Sequence, residues 1–288
     1  MLSKEVFGLS RVAIVTDSTA DVPAEYLEKY EIHVVPLYVH FGSKSYQDGV
    51  ELPPETFFPM LTESVETPTT SQPAVGEFVR LYEKLISEGK KVVSIHLSSV
   101  LSGTFQSASL AKLSVPAGQV EVIDSANVTL SLGWQVIAAA EAAAKGWDLD
   151  DIVTLIREIG AQVKLYFAID TLEYLYKGGR IGKVAAFLGT MLNFKPIITI
   201  ENGGLVPFAR VRSQKQVMNK LVELAEEALK TRGKIRIGVI HTAAPEKAAE
   251  LRLLLKEKLG LTELPPVTEA GAVLGTHVGP GALAIAYY

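Results

Sequence analysis

The sequence predicts an α/β protein whose first half is built on a mostly parallel, layered sheet and whose second half contains a mixed sheet. In the first half, short β-branched runs alternate with helical stretches, which is typical of parallel strands covered by helices. In the second half, Asn202-Gly203 separates two apolar runs, the strongest short signal for an antiparallel hairpin. With 288 residues, 48% of them hydrophobic, the chain is long enough for two domains. We expect a boundary near Gly160, giving domains 1–160 and 161–288.

The elements of the first half follow from apolar runs and their flanking residues. Strands are predicted at 12–15, 32–39, 91–97 and 120–123. Helices are predicted at 23–30, 54–63, 76–87, 105–113 and 130–145, and from Asp148 onward, where the aspartate is a capping residue. Between residues 67 and 73, Pro68 and Pro73 exclude a regular element.

The second half of the chain has a different order of predicted elements. Strands are predicted at 165–169, 197–200, 205–211 and 235–240, and helices at 172–176, 213–230 and 245–259. The segment 184–192 is apolar nearly all round, which predicts a buried helix whose small residues could leave a slot for an apolar ligand. The tail from Val267 to Tyr288 is apolar and punctuated by glycine, so we expect one or two buried strands there.

Charge and composition exclude several classes of protein. A net charge of −4 argues against a dedicated nucleic-acid binder, whose footprint is normally basic. Without cysteine there is no disulfide, no thiolate nucleophile and no Cys-ligated zinc. No run approaches the ~18 apolar residues of a membrane span, and the first residues lack the apolar core of a signal peptide. We therefore expect a soluble, cytoplasmic protein without stable membrane insertion.

Hydroxyl groups crowd into the turn 98–107, between a predicted strand and a predicted helix. Ligands of α/β proteins usually lie at such turns, and a helix N-terminus offers free N–H donors to an anion. The serines and threonines add donors without adding charge. The turn is therefore a candidate binding site for a carboxylate or a phosphate, and no catalytic base is adjacent to it in sequence.

Two other segments of the first half carry polar candidates, each with a structural alternative. Asp17 and Asp21 follow the first predicted strand; either could hold a metal or a substrate hydroxyl, but Asp21 has the position of a helix cap before Pro23. Thr70 and Ser71 lie on a second hydroxyl-rich loop, where they either cap the next helix or converge with the first turn on one site.

A glycine-rich turn at 178–183 carries basic residues, but it matches neither the Walker phosphate loop nor the dinucleotide-binding fingerprint. Arg180 and Arg212 are the better candidates for a phosphoryl group, since a guanidinium suits it. His277 lies among glycines and a proline, which favours close approach of another group over a simple core position. The other histidines show no metal-binding spacing, so no metal site is predicted.

Six segments, taken in this order, resemble the motifs of the DegV family, and the resemblance covers essentially the whole chain. They are VTDSTADVP at 15–23, YQDGV at 46–50, TSQP at 70–73, the turn at 98–107, DTLEYL at 170–175 with the GGRIGK that follows it, and THVGPG at 276–281.

The resemblance implies a three-layer N-terminal α/β/α domain and a C-terminal mixed α/β domain with a long-chain fatty acid between them. It further implies a binding subunit of bacterial fatty-acid kinase, not itself catalytic and without a cofactor. A separate ATP-dependent subunit, similar to dihydroxyacetone kinase, phosphorylates the bound carboxylate to an acyl phosphate. By the same resemblance Thr70 and Ser102 hold the carboxylate, and His277 lies close to it. Supporting positions are Ser71, Ser99 and Gly103, and the basic face toward the kinase or phosphate carries Arg180 and Arg212.

Two alternatives stay open at this point. One is an enzyme acting on a small phosphorylated or carboxylated metabolite, with Asp17 and His277 as the acid/base pair. The other is a lipid carrier or sensor that has no kinase partner.

Overall fold

Three β-sheets organise the chain in the computed structural model, which describes residues 11–188 and 194–288. The strands are Val12–Asp17 (β1), His33–Val35 (β2), Tyr38–Phe41 (β3), Lys44–Gln47 (β4), Thr69–Ser71 (β5), Lys91–His96 (β6), Val120–Asp124 (β7), Lys164–Ala168 (β8), Lys195–Glu201 (β9), Gly204–Val211 (β10), Ile237–His241 (β11), Val267–Glu269 (β12) and Leu283–Tyr287 (β13). The α-helices are Ala24–Lys29 (α1), Pro54–Glu63 (α2), Val75–Ser87 (α3), Thr104–Lys112 (α4), Leu130–Ala144 (α5), Leu149–Gln162 (α6), Glu173–Lys177 (α7), Gln214–Arg232 (α8), Pro245–Leu259 (α9) and Ala272–Val278 (α10).

The N-terminal half is a three-layer α/β/α arrangement. Its sheet is entirely parallel, in the order β2-β1-β6-β7. Successive residues of β1 are buried on opposite faces: Val12 and Ile14 join the core that includes α5 and α6, whereas Ala13 and Val15 join the core under α3 and α4. A strand covered on both sides is apolar along most of its length, and this explains the apolar run from Val12 to Val15. The predicted fold class is confirmed here.

The C-terminal half is built on a mixed six-stranded sheet in the order β10-β9-β8-β13-β11-β12. One of its pairings, β11 with β12, is parallel, and the other four are antiparallel. The predicted hairpin joins β9 to β10, and Asn202 and Gly203 take φ angles of 50° and 77° at its turn. Helices α8 and α9 cover one face of the sheet, and the other face packs toward the N-terminal half.

A small antiparallel sheet, β4-β3-β5, lies outside both main sheets and was not predicted. The single strand expected at 32–39 is two strands, because Pro36 interrupts it and β3 pairs in the small sheet. The exclusion of a regular element at 67–73 is also wrong. Pro68 and Pro73 flank β5 rather than lie within it, so neither removes a donor from the strand itself.

Helix α5 joins the two halves. Of its residues, 130–140 are all buried, which is possible because it packs on the parallel sheet and on the mixed sheet. Trp134 Nε1 donates a hydrogen bond of 2.9 Å to the carbonyl of Ala286 in β13. The sheet strands up to Asp124 belong to the N-terminal half and those from Lys164 to the C-terminal half. The boundary expected at residue 160 falls in the last turn of α6.

The C-terminal tail contains a helix where strands alone were expected. Between β12 and β13 the chain forms α10, whose N-terminus is held by two carboxylates from the other half. Asp48 Oδ1 accepts from Ala272 N at 2.7 Å, and Asp21 Oδ1 accepts from Gly271 N at 3.0 Å. The capping role predicted for Asp21 on the first helix is therefore wrong: α1 starts after Pro23, and the Asp21 carboxylate instead binds α10 and Thr129.

The buried helix predicted at 184–192 is also not found as such. Residues Gly182–Phe187 form a 3₁₀ helix in which Val184 is buried and Ala185 and Ala186 are exposed. The rest of that prediction, at 189–192, lies outside the described residues.

Candidate functional site

A cavity lies where the two main halves and the small sheet meet. Its walls come from β5 and the loop after β6, from α10, and from the mixed sheet. Most of the lining is apolar, and the polar side chains gather at one end. The lining residues are Leu37, Thr70, Ser71, Gln72, Leu97, Leu101, Ser102, Val128, Phe167, Leu175, Arg180, Leu205, Val273, Leu274, His277 and Val278.

Thr70 and His277 form the first polar contact of this end. They are 207 residues apart in sequence, and the distance from Thr70 Oγ1 to His277 Nε2 is 2.9 Å. Ser71 also lines the cavity, but side chains of successive strand residues point to opposite faces, so its hydroxyl is turned away from this pair. Its hydroxyl is 2.8 Å from His40 Nε2 on the other face of the small sheet. Neither hydroxyl caps α3, whose first turn is closed by Glu77 accepting from Ala74 N.

His277 is a neutral imidazole. Burial, with a smaller contribution from the Arg180 charge, lowers its pKa to about 4. Its Nδ1 is buried beside Gly178 and has no hydrogen-bond partner among the described residues. An unpartnered acceptor costs less than an unpartnered buried N–H, so we assign the proton to Nε2, which donates to Thr70 Oγ1. The Thr70 hydroxyl hydrogen is then free to donate into the cavity.

The hydroxyl-rich turn after β6 is divided between structural and cavity-lining residues. Ser98 is buried and donates to the carbonyl of Gly203 at 2.7 Å, which ties the turn to the β9–β10 hairpin. Ser99 is exposed and lines an outer cleft. Ser102 reaches the cavity; its Oγ is 2.9 Å from Thr104 Oγ1 at the start of α4. Gly103 allows close packing of Gln72, since a Cβ there would lie 2.9 Å from Gln72 Nε2.

Arg180 lies at the boundary between the cavity and the outer cleft. Its guanidinium donates to the carbonyl of Leu101 at 3.2 Å and to that of Gly178 at 2.8 Å, so both hydrogen bonds fix its orientation. Ser102 lines both spaces as well, and Lys183 lines the cleft. The cavity's polar end is therefore reachable from outside through a basic opening.

Arg212 is not brought to this opening. It follows the C-terminal end of β10, whereas Gly204 at the other end lines the cleft. Eight residues of strand correspond to roughly 25 Å. The Arg212 guanidinium instead lies 5.5 Å from the ring centre of Phe194.

At its apolar end the cavity adjoins a second cavity. Four residues line both: Val128, Phe167, Leu274 and Val278. The second cavity lies against the inner face of the mixed sheet, and the described residues leave no polar surface exposed in it. The combined space has the polarity of an amphiphile, with hydrogen-bond donors at one end and hydrocarbon walls beyond.

Asp17 takes no part in the cavity. It is buried at the end of β1, where Oδ2 is 2.9 Å from His96 Nδ1 and accepts from Leu97 N at 3.0 Å. His96 Nε2 in turn lies 2.7 Å from Ser94 Oγ. The acid/base pair of Asp17 and His277 that the sequence left open is thus not assembled, because each residue is bound to a different partner.

Sequence reasoning missed the apolar residues that shape the cavities, among them Phe167 and Leu274. No local signal distinguishes them from ordinary core residues. Within the described ranges 11–188 and 194–288, no three histidine or acidic side chains form a group that could hold a metal ion. No helix of that part of the chain has both the length and the apolar character needed to cross a membrane.

Solved structures of similar shape define the class of fold to which this chain belongs. The chain is similar to a fatty-acid-binding DegV family protein from Thermus thermophilus, with a TM-score of 0.89 and 34% identity over 96% of this chain and 99% of that one. It is similar to DegV, a fatty acid binding protein from Bacillus subtilis, with a TM-score of 0.88, 38% identity and the same coverages. A stearic-acid-binding protein from Eubacterium ventriosum has a TM-score of 0.88 and 26% identity, over 96% of this chain and 97% of that one.

Sequence comparison gives the family. Residues 11–288 match the family model described as "Uncharacterised protein, DegV family". Protein DegV of Bacillus subtilis is 39% identical over 277 residues, which are 96% of this chain and 98% of that relative. The chain therefore belongs to the DegV family, and the resemblance seen in its motifs is confirmed.

Proposed function

We propose that the protein binds a long-chain fatty acid, with the carboxylate at Thr70, Ser102 and His277 and the acyl chain along the apolar walls. The observation that carries this proposal is the polarity of the cavity, which has hydroxyl donors at one end and hydrocarbon side chains elsewhere. Solved relatives that bind fatty acids support it. Burial of an acyl chain stabilises the complex by ~0.8 kcal/mol per methylene before chain entropy is subtracted.

The headgroup requires donors rather than a strong base. A carboxylate removed from water is costly unless it is hydrogen-bonded, and hydrogen bonds to a charged acceptor are stronger than those between neutral groups. Thr70 has a hydroxyl hydrogen to donate because His277 supplies the other proton of their contact. Ser102 adds a second hydroxyl from the turn after β6, and the Arg180 charge lies at the boundary.

We further propose that the bound carboxylate is presented to a separate ATP-dependent kinase subunit similar to dihydroxyacetone kinase. A carboxylate oxygen would attack the γ-phosphorus of ATP, and the bond to the bridging oxygen would break as ADP leaves with the electron pair. The attacking group is already deprotonated, so this chain needs no general base. Arg180 and Lys183, which line the outer cleft, would attract the transferred phosphoryl group.

In this proposal the protein is a non-catalytic binding subunit that needs no cofactor, and it acts in the cytoplasm, where ATP is available. Enclosure of the product would slow its hydrolysis by excluding water. Ser71, Ser99 and Gly103 support the site from its margins. Arg212 would act on a partner rather than on the ligand, because it lies away from the cavity.

The experiment is a titration of delipidated protein with palmitate, hexadecanol and methyl palmitate. We expect palmitate to bind at least tenfold more tightly than the two uncharged analogues, because only palmitate accepts charge-assisted hydrogen bonds at the polar end. Equal affinity for all three, or no binding of palmitate, would contradict the proposed site. A kinase subunit of the stated type with ATP should then yield palmitoyl phosphate; binding without this product would identify a carrier.

A further inference from the structure

The second cavity is placed to receive the end of an acyl chain. It adjoins the first, since Phe167 and Leu274 line both. The polar side chain of Thr242 at its wall is already satisfied: the hydroxyl donates to Gly279 O at 2.7 Å and accepts from Ala282 N at 2.9 Å. Thr129 and His241 also line this cavity, but the described residues expose no polar surface in it, so a chain terminus with a hydroxyl or a second carboxylate would find no partner there. The cavity therefore suits an unsubstituted hydrocarbon end.

The floor of this cavity is a trough in the mixed sheet, centred on Ala284. On one side Ala284 pairs with Phe167 of β8, and on the other with Ile240 of β11. All three side chains belong to the core between the halves, whereas that of the next residue, Ile285, belongs to the core under α8 and α9. A methyl group between two large side chains leaves a channel one strand wide, with neighbouring strands ~4.8 Å apart.

The trough is closed one step further along β13. The next inward-facing residue is Ala286, which pairs with Leu165 and with Gly238. Trp134 and Leu130 of α5 press onto Gly238, where a Cβ would lie 3.1 Å from Trp134 Cζ2 and would collide with Leu130. Because inward-facing strand residues are spaced by about 7 Å, the closed end lies about that far beyond Ala284.

We infer that Ala284 is the residue that sets the longest acyl chain the protein accepts. This inference rests on the proposed function. The acyl chain passes between Phe167 and Leu274, lies over the Ala284 methyl, and ends against Trp134 and Leu130. A larger side chain at position 284 fills the trough and excludes the last methylenes of a long chain, while a short chain does not reach it.

The test measures the affinities of delipidated native protein and of the Ala284→Val and Ala284→Leu variants for laurate and stearate. Each excluded methylene weakens binding about fourfold, so Ala284→Leu should bind stearate at least tenfold more weakly than the native protein does. Its affinity for laurate should stay within about twofold. Ala284→Val should lie between, and it provides the test if the leucine variant does not fold. Ile285→Val, on the other face of the same strand, is the matched control and should keep the native preference.

The outcomes separate this inference from the proposed function. Native protein that binds neither acid overturns the proposed function itself. Native protein that binds both, together with folded Ala284 variants that keep the native stearate-to-laurate ratio, overturns the role of Ala284 alone. An equal loss of both affinities also overturns it, because a length determinant must spare the short chain.

Discussion

Replacing Thr70 by valine tests the polar end of the cavity at its best-defined contact. Valine has nearly the shape of threonine, so the substitution removes the hydroxyl with little change in packing. Two interactions are lost. The hydroxyl no longer donates to the ligand, and His277 Nε2 loses the partner that lies 2.9 Å away. Since His277 Nδ1 already has no partner among the described residues, the buried ring keeps no hydrogen bond in the free protein.

The loss of the hydrogen bond to the ligand affects binding, and the loss of the partner of His277 affects the stability of the free protein. A hydrogen bond to a charged group contributes about 1.5–3 kcal/mol, so we expect Thr70→Val to weaken palmitate binding by roughly 10- to 100-fold. A buried N–H left without an acceptor costs about 1–3 kcal/mol, and the free energy of unfolding of the free protein should fall by that amount. Titration calorimetry with palmitate and urea denaturation measure the two effects separately.

Ser71→Ala is the matched control. It removes a hydroxyl from the next residue of the same strand, but that hydroxyl faces His40 on the other side of the small sheet. We expect its palmitate affinity to stay within about twofold of the native value. If Ser71→Ala weakened binding as much as Thr70→Val, or if Thr70→Val bound palmitate normally, the assignment of the carboxylate to the Thr70 face would be refuted.

Three further predictions concern other parts of the molecule. Burial lowers the pKa of His277 to about 4 from its usual 6.5, so between these two pH values the unfolded chain binds more protons than the folded protein. The free energy of unfolding should therefore rise by roughly 3 kcal/mol as the pH increases from 4 to 6.5. Urea titrations across this range should show that contribution, and His277→Gln should abolish it. Arg212→Ala should leave palmitate affinity unchanged but slow palmitoyl phosphate formation in a coupled kinase assay; loss of lipid binding would contradict its placement. Asp48→Ala should lower the free energy of unfolding by about 1–3 kcal/mol, because the amides of α10 lose their acceptor, whereas Asp48→Asn should retain most of the stability in the same denaturation assay.

Much of the fold is encoded in local patterns. The strands at Val12–Asp17 and Lys91–His96 are covered on both faces, so most of their residues are apolar and each strand can be recognised from its own sequence. The hairpin at Asn202-Gly203 was predictable because few residues tolerate the backbone angles of that turn. These elements depend on residues adjacent in sequence, and sequence patterns report such dependence well.

The predictions from sequence are wrong where residues far apart in the chain determine the local structure. Asp21 has the sequence position of a helix cap, yet its carboxylate binds the amide of Gly271, 250 residues away. The apolar tail predicts strands where α10 forms, because two carboxyl groups from the other half of the chain bind the first turn of this helix. In the candidate site, too, some features follow from local sequence and others depend on the folded structure. Motifs pointed to Thr70, Ser102 and His277, but the separation of Thr70 from Ser71 required the strand's orientation.

The most direct test of the account is a crystal structure of the protein with palmitate. We predict a carboxylate oxygen within hydrogen-bond distance of Thr70 Oγ1 and Ser102 Oγ, and an acyl chain that passes Phe167 toward Ala284. A chain bound in the reverse direction, or palmitate bound outside these two cavities, would contradict the account.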